Sequence, residues 1–120
     1  MREVFQAELR EVQDRLVEIA TLVSVSIENA TRAFNESNVS LAETVIADDE
    51  KIDVAALELD ELAIQILARQ QPVARDLRIV VSALRISASL ERMGDMADAA
   101  VSAVVIDVSA AAVVDGTTVV

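Results

Sequence analysis

The chain has 120 residues, 53% hydrophobic and 26% charged, which is one folded domain's worth of sequence and not a disordered composition. It holds no cysteine, no histidine, two aromatics, two glycines and one proline. Thiolate chemistry, sulfur-ligated metals and histidine catalysis are thereby excluded, and sandwiches, barrels and glycine-rich phosphate loops lack their materials. Ten basic against 21 acidic residues give a net charge of −11, which opposes nucleic acid and anionic lipid and favours cations or basic protein surfaces.

From Phe5 the apolar residues Leu9, Val12, Leu16, Ile19, Val23, Ile27, Ala30 and Phe34 recur in steps of three and four, the stripe of one long helix. The polar segment FNESNVS breaks it, and Ser40 with Glu43 fits a capping box that opens a second helix. That helix is expected from about Leu41 to about Gln70, with a seam at Val45, Asp49, Ile52, Ala56, Leu59, Ala63 and Ile66. Pro72 disfavours helix in the residue before it and suits a first turn, so it should end the second helix and open a third. Two seams run along the third: Leu77, Val81, Leu84, Ala88, Glu91, Asp95, Asp98, and Ile79, Ala83, Ile86, Leu90, Met93, Ala97. Two seams imply two neighbours. The expected fold is all-α, an antiparallel bundle of three long helices over residues 1–99.

The 22 residues from Ala99 onward hold two acids, no base and fourteen alanines or valines. Residues 100–120 therefore read as a divergent tail that either forms a strand or extends the third helix, until DGTT breaks any periodicity. No uncharged run approaches the about 18–20 apolar residues of a membrane span, and the charged start MREVFQAELREV is unlike a secretory signal. A cytoplasmic protein without membrane insertion is expected.

Asp49 and Asp53 lie four residues apart on the second helix, as Glu91 and Asp95 do on the third, so each pair shares a helix face and repels itself by about 0.2–0.5 kcal/mol. In a hairpin turning at Pro72, residues equidistant from it lie level, which sets Asp49 beside Asp95 and Asp53 beside Glu91. Acids often decorate solvated faces, but Asp49, Glu91 and Asp95 continue apolar seams. Gly94, costly inside a helix, points to close approach by a ligand or by a neighbouring backbone. Oxygen donors without nitrogen or sulfur suit hard cations such as magnesium, manganese, calcium or iron. The competing neutraliser is Arg92 or a nearby arginine. Asp48, Glu50 and Asp98 read as solvated charges more than as outer ligands. Arg75, Asp76 and Arg78, in the first turns of the third helix, are weaker candidates for contact with an anion or a partner's acids.

The stretch LARQQPVARDLRIVVSALRISASLERMGDMA, Leu67 to Ala97, closely resembles the signature of the PhoU family, bacterial regulators of phosphate uptake. That family's acidic motif, Glu or Asp followed four residues later by Asp, matches Asp49 to Asp53 and Glu91 to Asp95. The resemblance implies an all-helical protein of two repeated three-helix bundles whose acidic motifs bind metal ions, here iron, manganese or magnesium, with no enzymatic turnover. It further implies an adaptor, homodimeric or larger, that links the phosphate ABC transporter to a sensor histidine kinase and damps uptake and the starvation response. The resemblance runs from about Met1 to Ala99, one bundle where the family has two. The chain thus reads as a truncated product, an isolated half that dimerises, or a divergent short member. Two other functions fit the same residues: a helical oligomerisation module, or a carboxylate-bridged metal bundle without a signalling role. The usual di-iron pattern of the latter needs histidines that this chain lacks.

Overall fold

A computed structural model describes residues 2–69 and 74–114. Three helices, α1 (Arg2–Glu36), α2 (Val39–Arg69) and α3 (Ala74–Val114), run up, down and up, and each packs on the other two. The bundle measures 67 × 22 × 17 Å. Its helices are rich in good helix formers, and Thr21, Thr31 and Thr44 turn their hydroxyls onto the carbonyls of Val17, Ile27 and Ser40. The expected turn at Pro72 and the end of the second helix at Gln70 lie outside the described residues.

The α1–α2 turn departs from the expected cap. Helix α2 starts at Val39, and Asn38 is its cap: its Oδ1 accepts the amide of Leu41 at 3.0 Å while its carbonyl accepts that of Ala42 at 3.0 Å. Ser37, at φ 51°, takes the left-handed conformation that closes α1 and lets the amide of Asn38 bond to the Ala33 carbonyl at 3.0 Å. An asparagine directly after a left-handed residue reaches the free amides sooner than Ser40 can, so the Ser40/Glu43 pair is helix interior.

The α2 seam is buried as read, Val45, Ile52, Ala56, Leu59, Ala63 and Ile66, with Ala42 added before it. On α1 the seam holds from Phe5 to Val23 and again at Ala30, but Ser26 and Ala33 are buried where Ile27 and Phe34 were expected, and those two are exposed. The reason is size, because this end of α1 closes on Ala42 and Ala97 and only small side chains fit. The same correction applies to α3. Its core line is Val80, Ala83, Ser87, Gly94, Ala97, Val101 and Val104; Ala83 and Ala97 keep their places from the second expected seam, while Leu77, Ile79, Ile86 and Met93 are left exposed.

The core divides into two clusters. The larger runs from Phe5 to Val23, Ile52 to Ile66 and Val80 to Ala83; the smaller gathers Ala30, Ala33, Ala42, Val45, Ala97 and Val101, with Leu41 and Val105 against it. By the register of the two hairpins, Ser26, Asp49 and Gly94 lie level in the gap between them. A polar, small layer therefore interrupts the apolar core. Helix α3 passes Ala99 without a break, and Val101 and Val104 are buried beyond it, so the change in composition does not mark the end of the helix.

Candidate metal centre

In the interrupting layer, α2 and α3 approach closely because Gly94 has no side chain. A Cβ there would stand 3.1 Å from Ile52 Cδ1 and 3.4 Å from Asp49 Oδ1. The glycine thus serves the helix contact and makes room for the Asp49 carboxylate at once. Asp53 follows Asp49 by one turn of α2, and Glu91 and Asp95 are paired one turn apart on α3.

One carboxylate oxygen each of Asp49, Asp53 and Asp95 lies within 4.8 Å of the others. Glu91 joins through Asp53, whose neighbouring carboxylate favours the protonated form of Glu91. The register drawn from Pro72 thus brings all four carboxylates into one cluster. Desolvation, then the charges of Asp95, Asp53 and Asp98, push Asp49 up to about 6. The Asp53 hydrogen bond, then burial and the charges of Asp53, Asp95 and Asp60, raise Glu91 to about 7. Metal-free, the cluster answers its own repulsion by holding protons near neutral pH.

No protein cation does that work among the described residues. Arg92 donates to Ser89 Oγ at 3.1 Å, and the chain's single lysine, Lys51 on α2, pairs with Asp48 at 3.2 Å. Asp49 Oδ1 is buried without a hydrogen-bond partner, and so is Asp98 Oδ1. Buried oxygens left in that state cost about 1–3 kcal/mol each, and a divalent cation would relieve both the orphaned oxygens and the mutual repulsion. The donor set is oxygen alone, which fits magnesium, manganese or iron. Asp98 is the residue sequence reasoning undervalued. Its signal was available, since it continues the Glu91–Asp95 seam, but a third acid on an acidic chain reads as ordinary surface.

The α3 start is arranged differently. Asp76 is buried beside Arg75, whose Nε is 3.9 Å away, so of the three weaker candidates only Arg75 and Arg78 are open to solvent. Elsewhere charge pairs staple the helices: Arg15 donates to Glu58 at 2.6 Å and reaches Glu11 at 3.5 Å, and Arg69 pairs with Glu8. The Arg15 guanidinium is held above its ordinary pKa, chiefly by the Glu58 hydrogen bond. Among the described residues no helix is long and apolar enough to cross a membrane.

Comparison with known proteins agrees with the motif. A family model described as the PhoU domain matches residues 16–104, which include all four clustered carboxylates. A protein of Mycobacterium leprae named phosphate-specific transport system accessory protein PhoU homolog 1 is 41% identical over 97 residues, 81% of this chain and 44% of its own length. The homolog 2 of Mycobacterium tuberculosis is also 41% identical over 97 residues, covering 46% of its length. The homolog of Aquifex aeolicus is 41% identical over 91 residues, 76% of this chain and 41% of its own. The chain spans about half the length of these curated relatives. A helical bundle carrying both acidic motifs and matched over most of its length belongs to the PhoU family.

Proposed function

We propose that this chain is a regulatory accessory protein of phosphate uptake whose bundle holds a hard metal ion between α2 and α3. One observation carries the reading: the two motifs that mark the family are the two that the fold gathers into a single oxygen-only cluster, with an orphaned oxygen on Asp49. Asp49, Asp53, Glu91 and Asp95 would hold iron, manganese or magnesium, and Asp98 would support them from beside the site. When bound, the ion supplies positive charge that locks α2 onto α3. In this reading the protein works in the cytoplasm as an adaptor between the phosphate ABC transporter and a sensor histidine kinase. It turns over no substrate, in keeping with a chain that has neither histidine nor cysteine.

The test has two arms. Metal-stripped protein is melted with and without excess Fe(II), Mn(II), Mg(II) or Ca(II), beside a variant carrying Asp49→Asn, Asp53→Asn, Glu91→Gln and Asp95→Asn. A ligand that binds the native state must raise its stability. The expected result is a cation-dependent rise in Tm for the wild type alone, with the variant the more stable of the two when no metal is present. Equal responses sink the metal centre. In the second arm the chain is expressed in a bacterium lacking its own such regulator, and repression of a phosphate-starvation reporter should return when phosphate is plentiful. Failure to restore it removes the regulatory half of the reading.

A further inference from the structure

We infer that Asp98, which lies outside both acidic motifs, is itself a ligand of the ion and draws it toward the Asp49 end of the cluster. The inference rests on the metal centre proposed above and changes what that centre is. Asp98 does more than support the other four from beside them, and the cradle becomes one of five carboxylates, three of them from α3.

The orphaned oxygens point to it first. Among the described residues, the only buried side-chain oxygens or nitrogens without a hydrogen-bond partner are Asp49 Oδ1 and Asp98 Oδ1. They belong to facing helices and meet at one notch. Asp98 follows Gly94 by four residues, so the two stand one above the other on the same face of α3. The Cα–Cβ bond of a helical residue tilts toward the helix N-terminus, which leans Asp98 back over the space that Gly94 leaves open. The orphaned Asp49 oxygen lies at that space, 3.4 Å from where a Cβ of residue 94 would stand. Because α2 runs antiparallel to α3, the same tilt carries the Asp49 side chain toward the level of Asp98. Asp53 and Asp95 lean toward each other by the same rule one layer away, whereas Glu91 leans away from Asp98. Glu91, Asp95 and Asp98 still share an arc of about 60° on α3, so one trough between the helices serves them all.

A cation explains this pair better than a protein partner or a water does. Neither Asp49 nor Asp98 has an arginine or lysine partner among the described residues. Ser102, one turn past Asp98, spends its hydroxyl proton on the Asp98 carbonyl at 2.9 Å. The two carboxyls are close enough that the charge of Asp98 acts on Asp49. A water between them would satisfy both oxygens and leave that repulsion in place; an ion removes both costs at once.

The experiment titrates the full, metal-stripped chain with Eu(III), a hard ion that takes oxygen donors, and with Mn(II). Luminescence lifetimes in light and heavy water count the waters left on bound Eu(III). Asp98→Ala removes the donor and installs a good helix former; it should raise that count by about one and weaken both ions by roughly tenfold or more. Glu50→Ala removes the same charge from an exposed position beside Asp49, and should leave the count unchanged and the affinities within about twofold. An unchanged count in Asp98→Ala overturns the inference even where affinity falls, because Asp98 is then a neighbouring charge and not a ligand. Equal losses of affinity in Asp98→Ala and Glu50→Ala overturn it as well. A wild type that binds neither ion removes the metal centre itself, and this inference with it.

Discussion

Helix α3 faces two grooves of opposite chemistry. Toward α2 it presents Glu91, Asp95 and Asp98, and the facing helix adds Asp49 and Asp53. Toward α1 it presents Ile79, Ile86, Met93 and Met96, and no acid from either helix lines the groove. Both grooves are walled by the same helix, rest on the same core and are separated by about 100–200° of rotation about its axis, so composition alone cannot tell them apart. Which side of α3 a residue occupies decides whether it meets a concentrated negative charge or an apolar surface. On one side the charge is too dense to be stable unless protons or a cation neutralise it; on the other the apolar surface is too large to be indifferent to water.

The two sides can first be broken together. Leu59 is fully buried in the large cluster that supports both grooves. Leu59→Ala should cost about 2–5 kcal/mol of stability in urea titration, the largest single-residue effect expected here. A variant that lost stability and kept its full cation response would show the site to be independent of that core.

Breaking the acidic side alone requires Gly94. A valine there would push its branches into Ile52 and the Asp49 carboxylate, already 3.1 and 3.4 Å from a bare Cβ. The expected cost is about 1–3 kcal/mol, with the cation response lost and the α1 side unchanged. An undiminished metal shift in Gly94→Val would mean that close approach of α2 and α3 is not what assembles the carboxylates.

These two residues also show what the sequence could and could not disclose. The α2 seam was legible because large apolar residues mark it at regular spacing and both neighbouring helices bury it. The carboxylates were legible because Asp49 and Glu91 interrupt such seams, and because a register counted from Pro72 sets Asp49 beside Asp95 and Asp53 beside Glu91. The core line of α3 was legible only in part. Ser87 and Gly94 are buried without standing on either expected seam, and small residues carry little hydrophobic signal, so beside the correctly placed Ala83 and Ala97 the larger Ile79, Ile86 and Met93 drew the second seam onto what proves to be the exposed groove. At the far end of α1 the same cause misplaced Phe34. Asp98, weighed as a solvated charge more than as an outer ligand, was harder to place for a different reason, since burial of one oxygen is a property of the assembled layer and not of the residue.

The acidic side sharpens with pH. Asp49 and Glu91 are raised in the folded protein to about 6 and about 7, above their ordinary values. The folded state therefore binds more protons than the unfolded chain between about pH 4 and pH 7, and metal-free stability falls as pH rises through that window. After discounting for solvent screening at these partly exposed groups, a loss of about 1–3 kcal/mol across it is expected in chemical denaturation at several pH values. Asp49→Asn with Glu91→Gln should flatten the profile, and a saturating cation should reverse its slope, because metal competes with those protons. A flat metal-free profile in the wild type would mean that water already neutralises the cluster.

The smallest effects concern the turn that both sides share. Asn38 accepts the Leu41 amide, so Asn38→Ala should cost about 0.5–2 kcal/mol, whereas Ser40→Ala, at the second residue of α2 and exposed, should stay within about 0.5 kcal/mol. The opposite order would restore the Ser40/Glu43 capping box. Ser37 holds φ 51° at a cost that glycine does not bear, and Ser37→Gly should gain about 0.5–1 kcal/mol, less the greater backbone freedom glycine has when unfolded. Because Ser37 lies beyond both grooves, its gain should leave the cation shift and the state of association as they were. Equal gains in Tm with and without metal would place the turn outside the linkage between cation and fold. A gain confined to the metal-free protein would mean that the cation already tightens the turn through Val45 and Ala97, the small-residue core that lies between it and the carboxylates.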